Sequence, residues 1–98
     1  VSGDVEDKAG LPELFQNEPN PFNPETKISF NLPTDDNGLV SLKIYDMLGR
    51  EVATLVNQTL GKGVYQYNFN GSNLSSGIYF MRLTTANFSD VKRMLMIK

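Results

Sequence analysis

The stretch Thr26-Lys-Ile-Ser-Phe-Asn-Leu32 decides the fold class, because its apolar side chains alternate strictly with polar ones until Pro33 ends the run. Neighbouring side chains of a β-strand point to opposite faces, so this period of two predicts a half-buried strand. The turn-forming residues 35–38 and a second alternating run, Val40 to Tyr45, follow directly. They predict a second strand that a short turn joins to the first.

Similar segments recur along the rest of the chain. Glu51 to Val56 is rich in β-branched residues, a loop is expected from Gln58 to Gly63, and Tyr65 to Phe69 alternates aromatic with polar side chains. Ile78 to Thr84 and Val91 to Ile97 complete the set. Six or seven short strands, separated by turns rich in glycine, asparagine and proline, predict an all-β fold. We expect an immunoglobulin-like β-sandwich of about seven antiparallel strands.

The interior of this sandwich is predicted from the apolar face of each strand. In the last strand the choice is harder, because Leu95 and Ile97 compete with Met94 and Met96, and we expect Leu95 and Ile97 to face inward. The other predicted interior residues are Ile28, Phe30, Val40, Leu42, Ile44, Val52, Tyr67, Phe69, Tyr79, Met81 and Leu83.

Composition excludes most familiar chemistry. The 98 residues contain no cysteine and no histidine, which removes thiolate nucleophiles, histidine-based triads and histidine-based zinc sites. The net charge is −2, and the nine lysines and arginines form no basic stripe that could bind nucleic acid. We therefore expect no enzymatic activity, no cofactor, no nucleic-acid partner and no small-molecule substrate.

Three motifs have a functional and a structural interpretation. Asp35 to Asn37 offers oxygen ligands for calcium, but it lacks the spacing of an EF-hand loop, and a plain turn is favoured. The four tyrosines are suited to stacking on sugar rings, yet most stand at alternating strand positions, where packing in the sandwich is favoured. Ser75 to Gly77 has no catalytic base available and is interpreted as a turn.

The first quarter of the chain differs from the rest. Residues 1–13 show scattered charge and no apolar period, so we interpret them as a linker to an upstream domain of a longer precursor, with the folded domain spanning residues 14–98. Gln16 to Pro24 carries three prolines, which fix φ and remove backbone donors. This run predicts a rigid lead-in that is not a strand, with asparagines able to form local Asx turns.

Four stretches taken together resemble a known family. The run around Pro19-Asn20-Pro21, the segment Tyr45 to Val52, the triplet Gly77-Ile78-Tyr79 and the tail Lys92 to Lys98 are similar, in this order, to the C-terminal sorting domains of type IX secretion cargo proteins. The resemblance covers residues 14–98. Glu18 departs from it, because family members often carry an aromatic residue there.

This resemblance implies that the domain is an address label. The cargo would cross the inner membrane by an ordinary signal peptide, and an outer-membrane translocon would then recognise the tail. Transit through the periplasm would end at the outer membrane surface or outside the cell. A sortase-like protease of the system commonly removes the domain, here by a cut within residues 1–13. The alternative is a non-catalytic immunoglobulin-like structural module or a polysaccharide-binding accessory module.

The recognition surface is predicted from the same motifs. We expect the last strand to offer its edge to another sheet or to an acidic groove, with the proline run beside it. The candidate recognition residues are Pro19, Asn20, Pro21, Gly49, Gly77, Lys92, Arg93 and Lys98.

Overall fold

A computed structural model describes residues 10–98, so most of the predicted linker lies outside the described residues. The described part of the chain contains no helix, and hence none that could cross a membrane. The seven strands are β1 (Glu13–Leu14), β2 (Glu25–Leu32), β3 (Leu39–Tyr45), β4 (Glu51–Thr59), β5 (Gly63–Asn70), β6 (Gly77–Thr84) and β7 (Ser89–Met96).

The strands form two antiparallel sheets. The first sheet has the order β1-β2-β5 and the second the order β4-β3-β6-β7. Near the start of β6 the hydroxyl of Tyr79 donates to the carbonyl oxygen of Ser75 at 2.6 Å, the bond of a tyrosine corner in immunoglobulin-like sandwiches. The predicted fold class is confirmed.

The connection between β2 and β3 crosses from one sheet to the other, so the two strands do not form the hairpin that a short turn suggests. Asn37 anchors this crossing, because its buried side chain donates to the carbonyl oxygens of Thr34 (2.8 Å) and Leu60 (3.1 Å). A carboxylate oxygen of Asp35 accepts from the N–H of Lys62 at 2.7 Å. These polar side chains hold the connection between β2 and β3 against the loop between β4 and β5.

The core lies between the sheets and includes most of the predicted interior residues. It also contains six residues that the predicted interior omits, among them Phe22 from outside the strands. The buried apolar residues are Leu14, Phe22, Ile28, Phe30, Leu32, Val40, Leu42, Ile44, Val56, Phe69, Tyr79, Met81, Leu83, Met94 and Met96.

The predicted inward face of the last strand is wrong. Met94 and Met96 are buried, whereas Leu95 is 37% and Ile97 50% exposed. The cause is the register with β6, in which Met94 lies opposite the buried Tyr79. Directly paired residues of antiparallel strands share a face, so the methionines point inward.

Two further interior predictions need correction. Val52 is only half-buried because the pairing of β3 with β4 skips it, as at a β-bulge. Tyr67 is half-buried because, within residues 10–98, no strand continues the sheet beyond β5. The predicted loop from Gln58 to Gly63 is also shorter, since β4 continues to Thr59.

Candidate recognition surface

Residues 16–24, called here the proline segment, connect the two sheets. At its start Glu18 and Lys27 exchange two backbone hydrogen bonds of 3.0 and 2.9 Å, which attach the segment to β2. Further on, Phe22 forms a parallel bridge with Met96 of β7. The segment is not a strand, as predicted, and its three Xaa-Pro peptide bonds are cis.

A buried polar pair fixes the first turn of the proline segment. The Asn17 side chain is 1% exposed and donates from Nδ2 to the hydroxyl of Thr26 (3.0 Å) and to the carbonyl oxygen of Pro19 (3.1 Å). The Thr26 hydroxyl donates to the same carbonyl oxygen at 2.8 Å. A buried polar group is costly unless it is bonded, so these contacts hold Pro19 in one position.

Phe22 fastens the segment to the core. Its ring is 2% exposed and meets the Phe69 ring edge-on, with 6.1 Å between centroids. Its backbone N–H donates to the carbonyl oxygen of Leu95 (3.0 Å), and its carbonyl oxygen accepts from the N–H of Ile97 (2.9 Å). One residue thus binds the outer edge of β7 and fills the space between the sheets.

Two side chains of the proline segment form hydrogen bonds with further backbone groups on that edge of β7. Oδ1 of Asn20 accepts from the N–H of Leu95 at 2.9 Å, and Nε2 of Gln16 donates to the carbonyl oxygen of Arg93 at 2.8 Å. The side chain of Asn20 is therefore used across the fold, and not in the predicted Asx turn. We call residues 93–97, with these bonds, the closed edge of β7.

The last residue is attached to the loop before β6. The N–H of Lys98 donates to the Ser76 hydroxyl at 2.8 Å, and its Nζ donates to the carbonyl oxygen of Ser72 at 2.6 Å. Gly77, the first residue of β6, lies beside Ser76 and pairs with Met96. The chain end is held by specific bonds.

The structure brings part of the predicted site together. Asn20, Pro21 and Arg93 line one shallow groove with Ile78, Met94 and Leu95, called here the docking groove. Arg93 is exposed and forms no ion pair with any residue of 10–98. Lys92 lies on the other face of β7, because it pairs with the buried Met81, and it borders Leu11 and Pro12 instead.

Gly49 lies in the turn between β3 and β4, away from that groove. Its φ of 82° is in the left-handed region that glycine adopts without strain. The carboxylate of Asp46 accepts from the N–H groups of Leu48 (2.9 Å) and Arg50 (3.0 Å) and from Nε of Arg50 (2.8 Å). The backbone hydrogen bond from Arg50 is the largest cause that lowers the pKa of Asp46 below its ordinary value.

The strand registers place these features at one end of the sandwich. Tyr45, Phe80 and Arg93 form one row across the second sheet, and the turn 46–50, the start of β6 and the end of β7 all lie beyond it. The bonds of Phe22 bring the proline segment to the same end. Glu13 of β1 pairs with Asn31 near the opposite end of the first sheet, and the preceding residues Leu11 and Pro12 border Lys92 in the middle of β7.

Neither the sugar-binding interpretation of the tyrosines nor the calcium-binding interpretation of Asp35 to Asn37 gains support from the structure. Tyr65 and Tyr67 stack on Phe30, with centroids 5.4 and 6.0 Å apart, as predicted for sandwich packing. Within residues 10–98, no three acidic, histidine or cysteine side chains converge on a place that could hold a metal ion.

Sequence reasoning missed the residues that hold the surface in place. Asn17, Phe22 and Thr26 are buried and bonded, yet none of them was a candidate site residue. Phe22 is the one large apolar side chain of the proline segment, and this isolation among polar residues and prolines is a signal for an anchor.

In class, the molecule is a small immunoglobulin-like sandwich that displays a preformed, hydrogen-bonded surface at one end. Residues 19–98 match the family model of the secretion system C-terminal sorting domain. The chain therefore belongs to this family, and its function is that of a C-terminal secretion signal for type IX secretion. A search of curated proteins finds no match.

Family membership decides between the hypotheses that the sequence left open, in favour of the sorting domain over the accessory module. It implies attachment to an upstream cargo and recognition by the type IX machinery. It also implies export across the outer membrane to the cell surface or the extracellular space.

Proposed function

We propose that the outer-membrane translocon reads the docking groove and the proline segment through side chains. The observation that carries this proposal is the set of bonds from Gln16, Asn20 and Phe22 to the edge of β7. Because these bonds occupy the edge, strand addition along residues 93–97 is blocked. Arg93 and the rigid Asn20-Pro21 turn are the groups left for a partner.

The position of the surface supports this role. Leu11 and Pro12 lead into the domain beside Lys92, on the face of β7 opposite to the one that carries Arg93, and neither of them lines the docking groove. On this proposal the domain passes through the periplasm before it is recognised, and a sortase-like protease cuts within residues 1–13. Gly49, Gly77, Lys92 and Lys98 remain predictions as recognition residues.

A secretion assay tests the proposal. An inner-membrane signal peptide and a fluorescent reporter precede residues 1–98, in hosts with and without the type IX apparatus. Arg93→Glu should leave most of the reporter in the periplasm, because it reverses the charge at the groove. Arg82→Glu is the matched control, since Arg82 is exposed on the neighbouring strand β6 and lines another groove.

Equal secretion of both variants would refute the docking groove while leaving family membership intact. Deletion of residues 94–98 is not a useful test, because Met94 and Met96 are buried and their loss would unfold the sandwich. Circular dichroism and thermal melting of each purified variant show whether the domain is still folded.

A further inference from the structure

The outer edge of β5 is open along the whole strand. β5 pairs with β2 in unbroken register from Gly63 to Asn70, and it is the last strand of its sheet. Among the residues that the structure describes, no backbone group of residues 64–69 has a hydrogen-bond partner outside the strand pairing. The outward N–H and carbonyl groups are therefore free for another strand.

The other sheet edges are protected. β7 has its closed edge, the register of β4 is interrupted twice, and β1 is only two residues long. β5 shows no register shift, and its sequence contains no proline and no charged residue. Edge strands that avoid pairing usually carry a bulge, a proline or a charged residue. β5 has none of these, so it is the edge of this fold that can accept a strand.

The side chains of β5 also favour an added strand. On the inner face Tyr65 and Tyr67 are half-buried, since they stack on Phe30 but have no neighbour on the far side. On the outer face Val64 is 73% exposed, and Gln66 is exposed beside it. A further strand would cover both tyrosines and continue the polar row.

We propose that this strand is β5 of a second copy of the chain. The two strands would run antiparallel about a two-fold axis at Gln66, so that two three-stranded sheets join into one of six strands. An uncharged strand can face itself without repulsion. In this register Tyr65 lies opposite Tyr67 of the second copy, and cross-strand aromatic pairs of this kind stabilise sheets.

Charges at the strand ends support the same occupant. The register centred on Gln66 brings Lys62 opposite Asn70 of the second copy. Within one chain, Nδ2 of Asn70 donates to a carboxylate oxygen of Glu25 at 3.1 Å. The exposed Lys62 of each copy therefore lies close to Glu25 of the other copy. The two-fold axis repeats this complementary contact at both ends of the pair.

Sedimentation of the full 98-residue chain over a concentration series tests the dimer. The wild-type chain should convert from monomer to dimer as its concentration rises. Gln66→Lys and Gln66→Glu should each weaken association by about tenfold or more, because like charges would face each other at the axis. An equimolar mixture of the two variants should recover dimerisation, since the facing charges are then opposite.

Gln58→Lys is the matched control, because Gln58 is exposed on the protected edge strand β4, and it should sediment like the wild type. Circular dichroism shows that each variant is folded. A wild-type chain that remains monomeric up to about 1 mM would overturn the proposal. So would a dimer that Gln66→Lys leaves intact, or a β5 edge that takes up only foreign extended peptides.

Discussion

The edge strands β7 and β5 show opposite solutions to one problem. Every outermost strand exposes unpaired backbone groups. The proline segment closes the edge of β7, whereas none of the residues that the structure describes covers the edge of β5. The closing segment is itself poor in donors, because Pro19, Pro21 and Pro24 have no N–H. It therefore covers β7 without creating a new edge, which a regular strand in its place would do.

This difference separates two surfaces on one small domain. At the closed edge of β7 only side chains are free to contact a partner. At the open edge of β5 the backbone groups are free as well. The sequence of each edge is consistent with its state, since β7 carries Asp90, Lys92 and Arg93 while β5 carries no charge. Substitutions at the edge of β7 and at the edge of β5 should reveal whether the two edges behave independently.

The largest effects are expected from the phenylalanine behind each edge. Phe22 supports the closed edge, Phe30 supports β5, and both rings are fully buried. Phe22→Ala and Phe30→Ala should each lower the free energy of unfolding by about 3–5 kcal/mol. Phe22→Ala should in addition speed amide exchange at Ile97 locally, because the Ile97 N–H donates to the carbonyl oxygen of Phe22, and without its ring that residue is no longer anchored in the core.

Urea unfolding and hydrogen exchange by NMR measure both quantities. Phe15→Ala is the control, since Phe15 is 37% exposed and should change stability much less. Unfolding free energies within about 0.5 kcal/mol of the wild type for both buried phenylalanines would contradict the core described above.

A second prediction concerns the two faces of β7. Met96→Ala should lower the free energy of unfolding by about 2–5 kcal/mol, because Met96 is fully buried beside Phe22. Ile97→Ala should cost about 1 kcal/mol or less, since half of that side chain is exposed and its backbone bond to Phe22 remains. Thermal melting of the two variants tests this prediction. A larger loss of stability for Ile97→Ala than for Met96→Ala would mean that β7 turns its other face inward.

These two predictions show where sequence information ends. Strict alternation in residues 26–32 and 40–44 predicted both strands and their buried faces, because one face is apolar and the other polar. In β7 both faces end in apolar residues, so alternation alone could not select the inward face. Only the register with β6, a tertiary property, fixes it.

The proposed recognition surface was predictable only in part. The sequence indicated that Pro19 to Pro21 and the end of the chain belong to one site. It could not indicate the closed edge, because the bonds from Gln16 and Asn20 reach residues 77 and 75 positions away. Which backbone groups a polar side chain contacts depends on the tertiary fold, and the local sequence pattern does not predict these contacts.

A smaller effect is expected from Asn20, which contributes a single bond to the closed edge. Asn20→Ala should lower the free energy of unfolding by about 0.5–1.5 kcal/mol and speed exchange of the Leu95 amide, because its acceptor is lost. The matched control is Asn23→Ala, since Asn23 is exposed and its side chain has no hydrogen bond among the described residues. Unchanged exchange at Leu95 would show that the edge is closed without this side chain.

The smallest effect is expected outside both edges, at the turn between β3 and β4. Folding lowers the pKa of Asp46, chiefly through the hydrogen bond from the Arg50 backbone, from its ordinary value of 3.8. A lowered pKa means that the folded state binds this proton less readily than the unfolded state. The resulting stability is present above the unfolded pKa and is lost as the pH falls through the folded one.

Asp46→Asn removes this titration, so the melting temperature of the variant should fall less between about pH 4 and pH 2 than that of the wild type. At neutral pH the variant should melt slightly lower, because its amide cannot form the charged pair with Arg50. Asp36→Asn is the control, since the Asp36 carboxylate is exposed and accepts no hydrogen bond within residues 10–98. Parallel acid profiles for wild type and Asp46→Asn would mean that the turn contributes nothing to acid sensitivity, and that other carboxylates account for it, such as that of Glu51, whose pKa the hydrogen bond from the Thr54 hydroxyl lowers.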